Sequence, residues 1–213
     1  MPITADESDR RRFLKLLYYL NDRHRDENWE RITHDMSLFE RPLSWPDRKP
    51  IVEILAWTLM PNHFHLLLRE IKDGGIALFM QRLCGSMSAH HNAKNQEKGS
   101  IFQGGYRGCT VDDDHYLRYV VPYIVVKNVF ELYPGGFLRA SQEFEKAWIW
   151  AVETYPYSSL STYATTTTSP IVSLHFLRDI VSSPKAFKNL SRDMILGKAE
   201  RISLEEIMLL EFE

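Results

Sequence analysis

Two histidines flanking a phenylalanine, in Pro61-Asn62-His63-Phe64-His65, are the sharpest chemical signal in the chain. On a strand, side chains alternate faces, so His63 and His65 project from one face and Phe64 from the other. Imidazoles so placed can grip one metal ion, although a pair falls short of the four ligands of a structural zinc site. The same spacing describes two half-buried histidines bonded to backbone groups, and the residues alone leave both readings open. A second candidate is Tyr123, in Tyr119-Val120-Val121-Pro122-Tyr123-Ile124. A phenol with a reference pKa of about 10 serves as a nucleophile only beside a polarised electrophile or a base. The chain has ten tyrosines, so residue type does not single this one out.

The elements that must position these groups follow from periodicity. Residues 8–22 predict an amphipathic helix through Phe13, Leu16, Leu17 and Leu20, capped by Asp6 or Ser8. A polar stretch with three prolines, 23–50, reads as an irregular connection. Residues 52–60 and 63–70 then predict a hairpin that turns at Pro61-Asn62. Ile76, Phe79, Met80, Leu83 and Met87 form the apolar stripe of a second helix. Residues 100–111 read as a strand interrupted by Gly104 and Gly105, and residues 112–133 as a helix. Pro122 removes one backbone donor from that helix, so a kink or break is expected there. Further helices are expected around 141–153, 173–182 and 203–212, with a loop over 162–170. The order α, β, β, α, β, α predicts an α+β fold, an antiparallel sheet covered by helices.

Composition bounds the rest. A chain of 213 residues, 44% hydrophobic and 12% aromatic, can bury one sizeable core. It contains no apolar run long enough to span a membrane and opens on the polar MPITADESDRRRF, so a cytoplasmic protein is expected. Cys84 and Cys109 make neither a disulfide framework nor a zinc pattern and are expected as buried thiols. The net charge of −2 lacks the basic excess common in nucleic-acid binders, although a local basic face remains compatible with it.

Four stretches, in order, carry a family resemblance: Trp57-Thr58-Leu59-Met60-Pro61-Asn62-His63-Phe64-His65-Leu66-Leu67-Leu68; Gly99-Ser100-Ile101-Phe102-Gln103-Gly104-Gly105-Tyr106-Arg107; Tyr116-Leu117 seven residues before Tyr123-Ile124; and Tyr155-Pro156-Tyr157-Ser158-Ser159-Leu160. Together they resemble the REP-associated tyrosine transposases and their insertion-sequence relatives, the single-tyrosine HUH transposases. The resemblance implies a ferredoxin-like (RRM-like) antiparallel sheet flanked by helices over residues 1–165, with a helical C-terminal extension over 166–213. It implies Mg²⁺ or Mn²⁺ at His63 and His65, and Tyr123 as the nucleophile that cuts hairpin-containing single-stranded DNA. The products would be a 5′-phosphotyrosine and a free 3′-hydroxyl.

Three departures from the family pattern shape the expectations. Where the family often places Asn or Gln, four residues after the tyrosine, this chain has Lys127, whose ammonium cannot ligate. Gln103 and Asn128 are then the candidates for a third ligand, while Lys127, Arg107 and Arg82 are candidates for contacts to DNA phosphates. The strand that usually precedes the first helix is expected to be missing, so the chain should either form a homodimer or shield a bare sheet edge by another device. Pro122 directly precedes the proposed nucleophile. An inactive relative that only binds structured single-stranded DNA is the alternative.

Overall fold

The computed structural model describes residues 2–177 and 181–197. The fold is α+β, and its described residues divide into two compact units, residues 2–54 with 68–106 and residues 55–67 with 107–177 and 181–197. Helix α1 (Glu7–Tyr19) starts at Asp6, whose carboxylate accepts from the Asp9 amide while the Asp9 side chain accepts from the Asp6 amide. This capping box satisfies two orphan donors at once. It selects Asp6 over Ser8 as the cap. Phe13, Leu16 and Leu17 are buried as the stripe predicts, whereas Leu20 is only half-buried. The polar connection that follows holds one short helix, α2 (Trp29–Ile32).

Strands β1 (Val52–Leu59) and β2 (Phe64–Glu70) form the expected hairpin, closed by a bond from the Met60 amide to the His63 carbonyl at 2.8 Å. In the first unit, buried Asn21 spans the entry to β1. Its Oδ1 accepts from the amides of Ile51 and Val52, and its Nδ2 donates to the Val52 carbonyl. Helix α3 (Gly75–Asn95) buries Phe79, Met80, Leu83 and Met87, again the predicted stripe, with Ile76 half-buried at its start.

The strand expected over 100–111 does not form; bends and irregular chain run there, mostly exposed. Gly99, Gly104, Gly105 and Gly108 leave little side chain to bury and raise the entropic cost of ordering an extended chain. The described sheet therefore has only the two strands of the hairpin. Cys109 lies in this stretch and is exposed, against expectation; Cys84 is half-buried.

In the second unit, α4 (Asp114–Pro122), capped by Asp113, runs into a π-helical turn (Tyr123–Lys127) and then α5 (Asn128–Glu131). Helices α6 (Gly136–Gln142), α7 (Phe144–Thr154) and α8 (Leu160–Ala164) follow. Helix α9 (Pro184–Ile195) is capped by Ser183 with proline at its first position, a start signal that the sequence carried. Beyond the boundary read at residue 165, Phe187 of α9 stacks on Tyr163 and Trp148 in the core of this unit. Of the helix expected over 173–182, a short turn at His175–Leu177 is described, while 178–180 and the helix expected at 203–212 lie outside the described residues.

The outer edge of β1 is not bare. Residues 157–159 pair with it through Leu59 N–H to the Tyr157 carbonyl and Ser159 N–H to the Trp57 carbonyl, both at 2.9 Å. The hydroxyls of Tyr155 and Tyr163 donate to the carbonyls of Leu59 and Leu55. A late segment of the chain thus supplies the edge cover, and β1 is buried along nearly its whole length.

Two glycines on α3 should respond oppositely to alanine. A Cβ at Gly75 would stand 2.5 Å from the Ile51 carbonyl oxygen, whereas one at Gly85 meets nothing within 4 Å. Urea unfolding should show Gly75→Ala destabilised by about 1–3 kcal/mol and Gly85→Ala stabilised by up to about 1 kcal/mol.

Candidate functional site

His63 immediately precedes β2 and His65 is the second residue of the strand, so the alternation of the extended chain brings both rings to the same side. Their Nε2 atoms are 3.0 Å apart and the rings meet edge to face, with centroids 4.8 Å apart. His63 Nδ1 lies 2.7 Å from Asn62 Oδ1. The two Nε2 atoms share a hydrogen bond at that distance, and the contact with the Asn62 amide oxygen is one that Nδ1 makes as a donor. This is the orienting bond that metal-bound histidines usually make through their second nitrogen.

Tyr123 is the first residue of the π turn, with its ring centroid 6.4 Å from that of His65. The turn has a local cause. Pro122 has no N–H to give to the carbonyl four residues back, yet its φ of −59° is helical, so the chain continues rather than breaks. Register changes instead: the Asn128 amide bonds to the Tyr123 carbonyl, five residues back, which is the π pattern. The expected kink or break is therefore a widened turn.

That turn determines what surrounds the phenol. Lys127 Nζ lies 3.4 Å from Tyr123 Oη and 4.9 Å from the ring centroid, and pairs with Glu131 at 2.8 Å. Asn128 is 1% exposed, and its Nδ2 has no hydrogen-bond partner among the described residues. Thr58 of β1, fully buried, donates through Oγ1 to the Ile124 carbonyl at 2.6 Å and so ties the hairpin to the turn. Tyr123 itself is 2% exposed.

The other candidates from the sequence lie apart from this cluster in the chain. Gln103 and Arg107 are exposed in the glycine-rich stretch. Arg82 on α3 donates to the carbonyls of Leu20 and Asp22, at 3.3 and 2.7 Å, which makes it a strut within the first unit. Among the described residues no third His, Cys, Asp or Glu joins the histidine pair. Sequence reading missed Thr58 and Glu131. A threonine amid the apolar residues of β1 was the available signal for the first, and the i,i+4 spacing from Lys127 for the second.

Residues 47–127 match the model of a family described as IS200-like transposase. Over that segment the chain is similar to the IS200-like transposases. The matched segment includes the hairpin, both histidines, α3, Tyr123 and Lys127. Neither curated proteins nor solved structures gave a significant match to the chain. No described helix is long and apolar enough to cross a membrane.

The tie between hairpin and π turn should be measurable. Thr58→Val keeps the shape of the side chain and removes the donor, leaving the Ile124 carbonyl without this partner. Unfolding stability should fall by roughly 1–3 kcal/mol with an unchanged m-value. An unchanged midpoint would show that the bond carries no net stability.

Proposed function

We propose that this chain cuts and rejoins single-stranded DNA through a phosphotyrosine at Tyr123, with His63 and His65 holding Mg²⁺ or Mn²⁺. The observation that carries the reading is the histidine pair beside Tyr123 on a segment of the IS200-like family. The donor set fits a cation. Two ligands at about 2.1 Å from an octahedral ion, in adjacent positions, stand about 3.0 Å apart, which is the Nε2–Nε2 separation of His63 and His65. Imidazole ligation favours Mn²⁺ over the harder Mg²⁺. The buried amide of Asn128 supports a polar ligand nearby, since a buried donor without a partner is costly. As oriented, its nitrogen suits a phosphate oxygen; turned about its last torsion, its oxygen suits a cation.

Bound there, a divalent cation supplies charge neutralisation at a non-bridging phosphate oxygen. Tyr123 Oη forms the new bond to phosphorus, and the bond from phosphorus to the 3′-oxygen breaks, with that oxygen ending as a hydroxyl. The phenol proton leaves to solvent. Rejoining runs the reverse displacement, a 3′-hydroxyl attacking the phosphotyrosine, and needs no nucleotide cofactor because the diester is conserved. A strand folded into a hairpin is the substrate of this reading, and the hairpin bearing the histidines followed by a long helix supports a ferredoxin-like layer.

One observation favours a second reading, a relative that binds such DNA without cutting it. Tyr123 is 2% exposed, so a phosphate reaches its oxygen only after side chains yield.

A single assay separates the two. Incubated with a hairpin-containing oligonucleotide and Mn²⁺, the chain should form a covalent protein–DNA species visible on a denaturing gel. Tyr123→Phe should abolish it with DNA binding retained, because only the nucleophilic oxygen is removed. His63→Ala should lower the yield by about tenfold or more and raise the Mn²⁺ requirement. Tyr116→Phe and Tyr119→Phe should still form the adduct. Binding without any adduct from the unaltered chain would establish the second reading.

A further inference from the structure

We infer that Lys127 is a positioning residue for the nucleophile: its ammonium holds the Tyr123 oxygen and supplies positive charge beside it as the phenol proton leaves, with Glu131 fixing the ammonium in place. The inference rests on the proposed cleavage reaction and goes beyond it by giving a role to a residue that cannot be a metal ligand. Three observations carry it. Lys127 Nζ stands 3.4 Å from Tyr123 Oη. The same nitrogen lies 4.9 Å from the centroid of the Tyr123 ring, an attraction that holds the amine against the ring and the ring against the amine. Glu131 accepts from it at 2.8 Å, one helical turn further on, and the Lys127 side chain is only 12% exposed against 38% for Glu131.

The π turn makes this arrangement local and specific. The turn runs from Tyr123 to Lys127, so nucleophile and ammonium are its first and last residues, and the Asn128 amide bonded to the Tyr123 carbonyl closes it. A half-buried ammonium is screened less than one in water, so its field at the phenol oxygen is correspondingly stronger. Such a preorganised charge favours loss of the phenol proton, because it is already in place when the oxygen takes up negative charge. Lys127 keeps its protons throughout. It donates a hydrogen bond, and the phenol proton leaves to solvent as in the scheme above. The alternative employment for this lysine, gripping a phosphate of the bound strand, predicts loss of affinity instead of loss of rate.

The test uses the full chain with 3-fluorotyrosine at position 123, the hairpin oligonucleotide and Mn²⁺. Lys127→Met removes the charge and keeps the stem. It should slow adduct formation at saturating DNA on the order of a hundredfold, leave the DNA dissociation constant within about twofold, and shift the ¹⁹F resonance at position 123. Lys127→Arg, which restores the cation, should recover most of the rate and move the resonance back towards its original position. Thermal unfolding of both variants reports whether they fold, and the ¹⁹F shift is read without DNA or metal. An unchanged rate in Lys127→Met beside an active parent overturns the inference and leaves the proposed function standing. Weakened DNA affinity with an unmoved ¹⁹F resonance also overturns it, in favour of the phosphate grip. No adduct from the parent overturns the proposed function, and the catalytic role of Lys127 with it.

Discussion

A missing hydrogen governs this site. Pro122 has a helical φ but no N–H, and the residue after it is Tyr123. A helix interrupted in this way can break, bend or change register. Here the flanking segments decide. Leu117, Val120 and Val121 before the proline and Ile124, Val125, Val126 and Val129 after it are all buried in one apolar cluster, so a break would expose a core face. Widening by one residue keeps both halves packed. The carbonyl of Ile124 in the widened turn receives the hydroxyl of Thr58 from β1. The element that distorts the helix and the element that carries the histidines are therefore joined by a buried bond.

The hairpin can bear that role because β1 is held on both sides. β2 pairs with one edge, and residues 157–159 pair with the other. The hydroxyls of Tyr155 and Tyr163, together with Ser159, add side-chain bonds to the carbonyls and one amide of β1. Backbone groups buried this deeply must be paired, and those of Leu55, Trp57 and Leu59 are paired by one segment about a hundred residues away in sequence. The late Tyr-Pro-Tyr-Ser-Ser stretch, recognised in sequence only as a recurrent segment, thus acts as the missing neighbour of a strand.

What the sequence made legible follows from how local each cause is. The helical stripe of α3, the cap at Asp6 and the alternation of His63 and His65 depend on neighbours within a turn or two, and they read directly. In the false strand at 100–111 the weight of Ile101, Phe102 and Tyr106 is outvoted by Gly104, Gly105 and Gly108. The edge cover at 157–159 was invisible because strand pairing across about a hundred residues leaves no periodic mark. The π turn was half legible. Pro122 announced a disturbance, but whether the helix broke or widened depended on what packed on either side. The site divides in the same way. The histidine pair was readable from spacing, the importance of Tyr123 only from resemblance, and the nearness of Lys127 to it from their i,i+4 spacing.

Charge is the last constraint, and it bears on how such a chain can meet DNA. At a net charge of −2 no long-range field draws a polyanion in, so phosphate contacts must be made locally. Several cations are already engaged within the protein: Arg12 with Glu30, Lys94 with Asp6 and Asp9, Arg41 with Asp22, and Lys188 with Glu145. A phosphate that approaches one of them must displace a carboxylate, and the cost depends on burial. Where the carboxylate is itself well exposed, as Glu30 is, the pair is worth at most about 1 kcal/mol and exchange is easy. Where it is buried, as Asp22 is at 1% exposure, removing its partner strands a charge in the interior, and that cation stays structural. Glu131, 38% exposed beside Lys127, belongs to the first kind. Lys127 itself is only 12% exposed, so if Glu131 is drawn away the ammonium keeps its contact with the phenol oxygen rather than turning out to solvent.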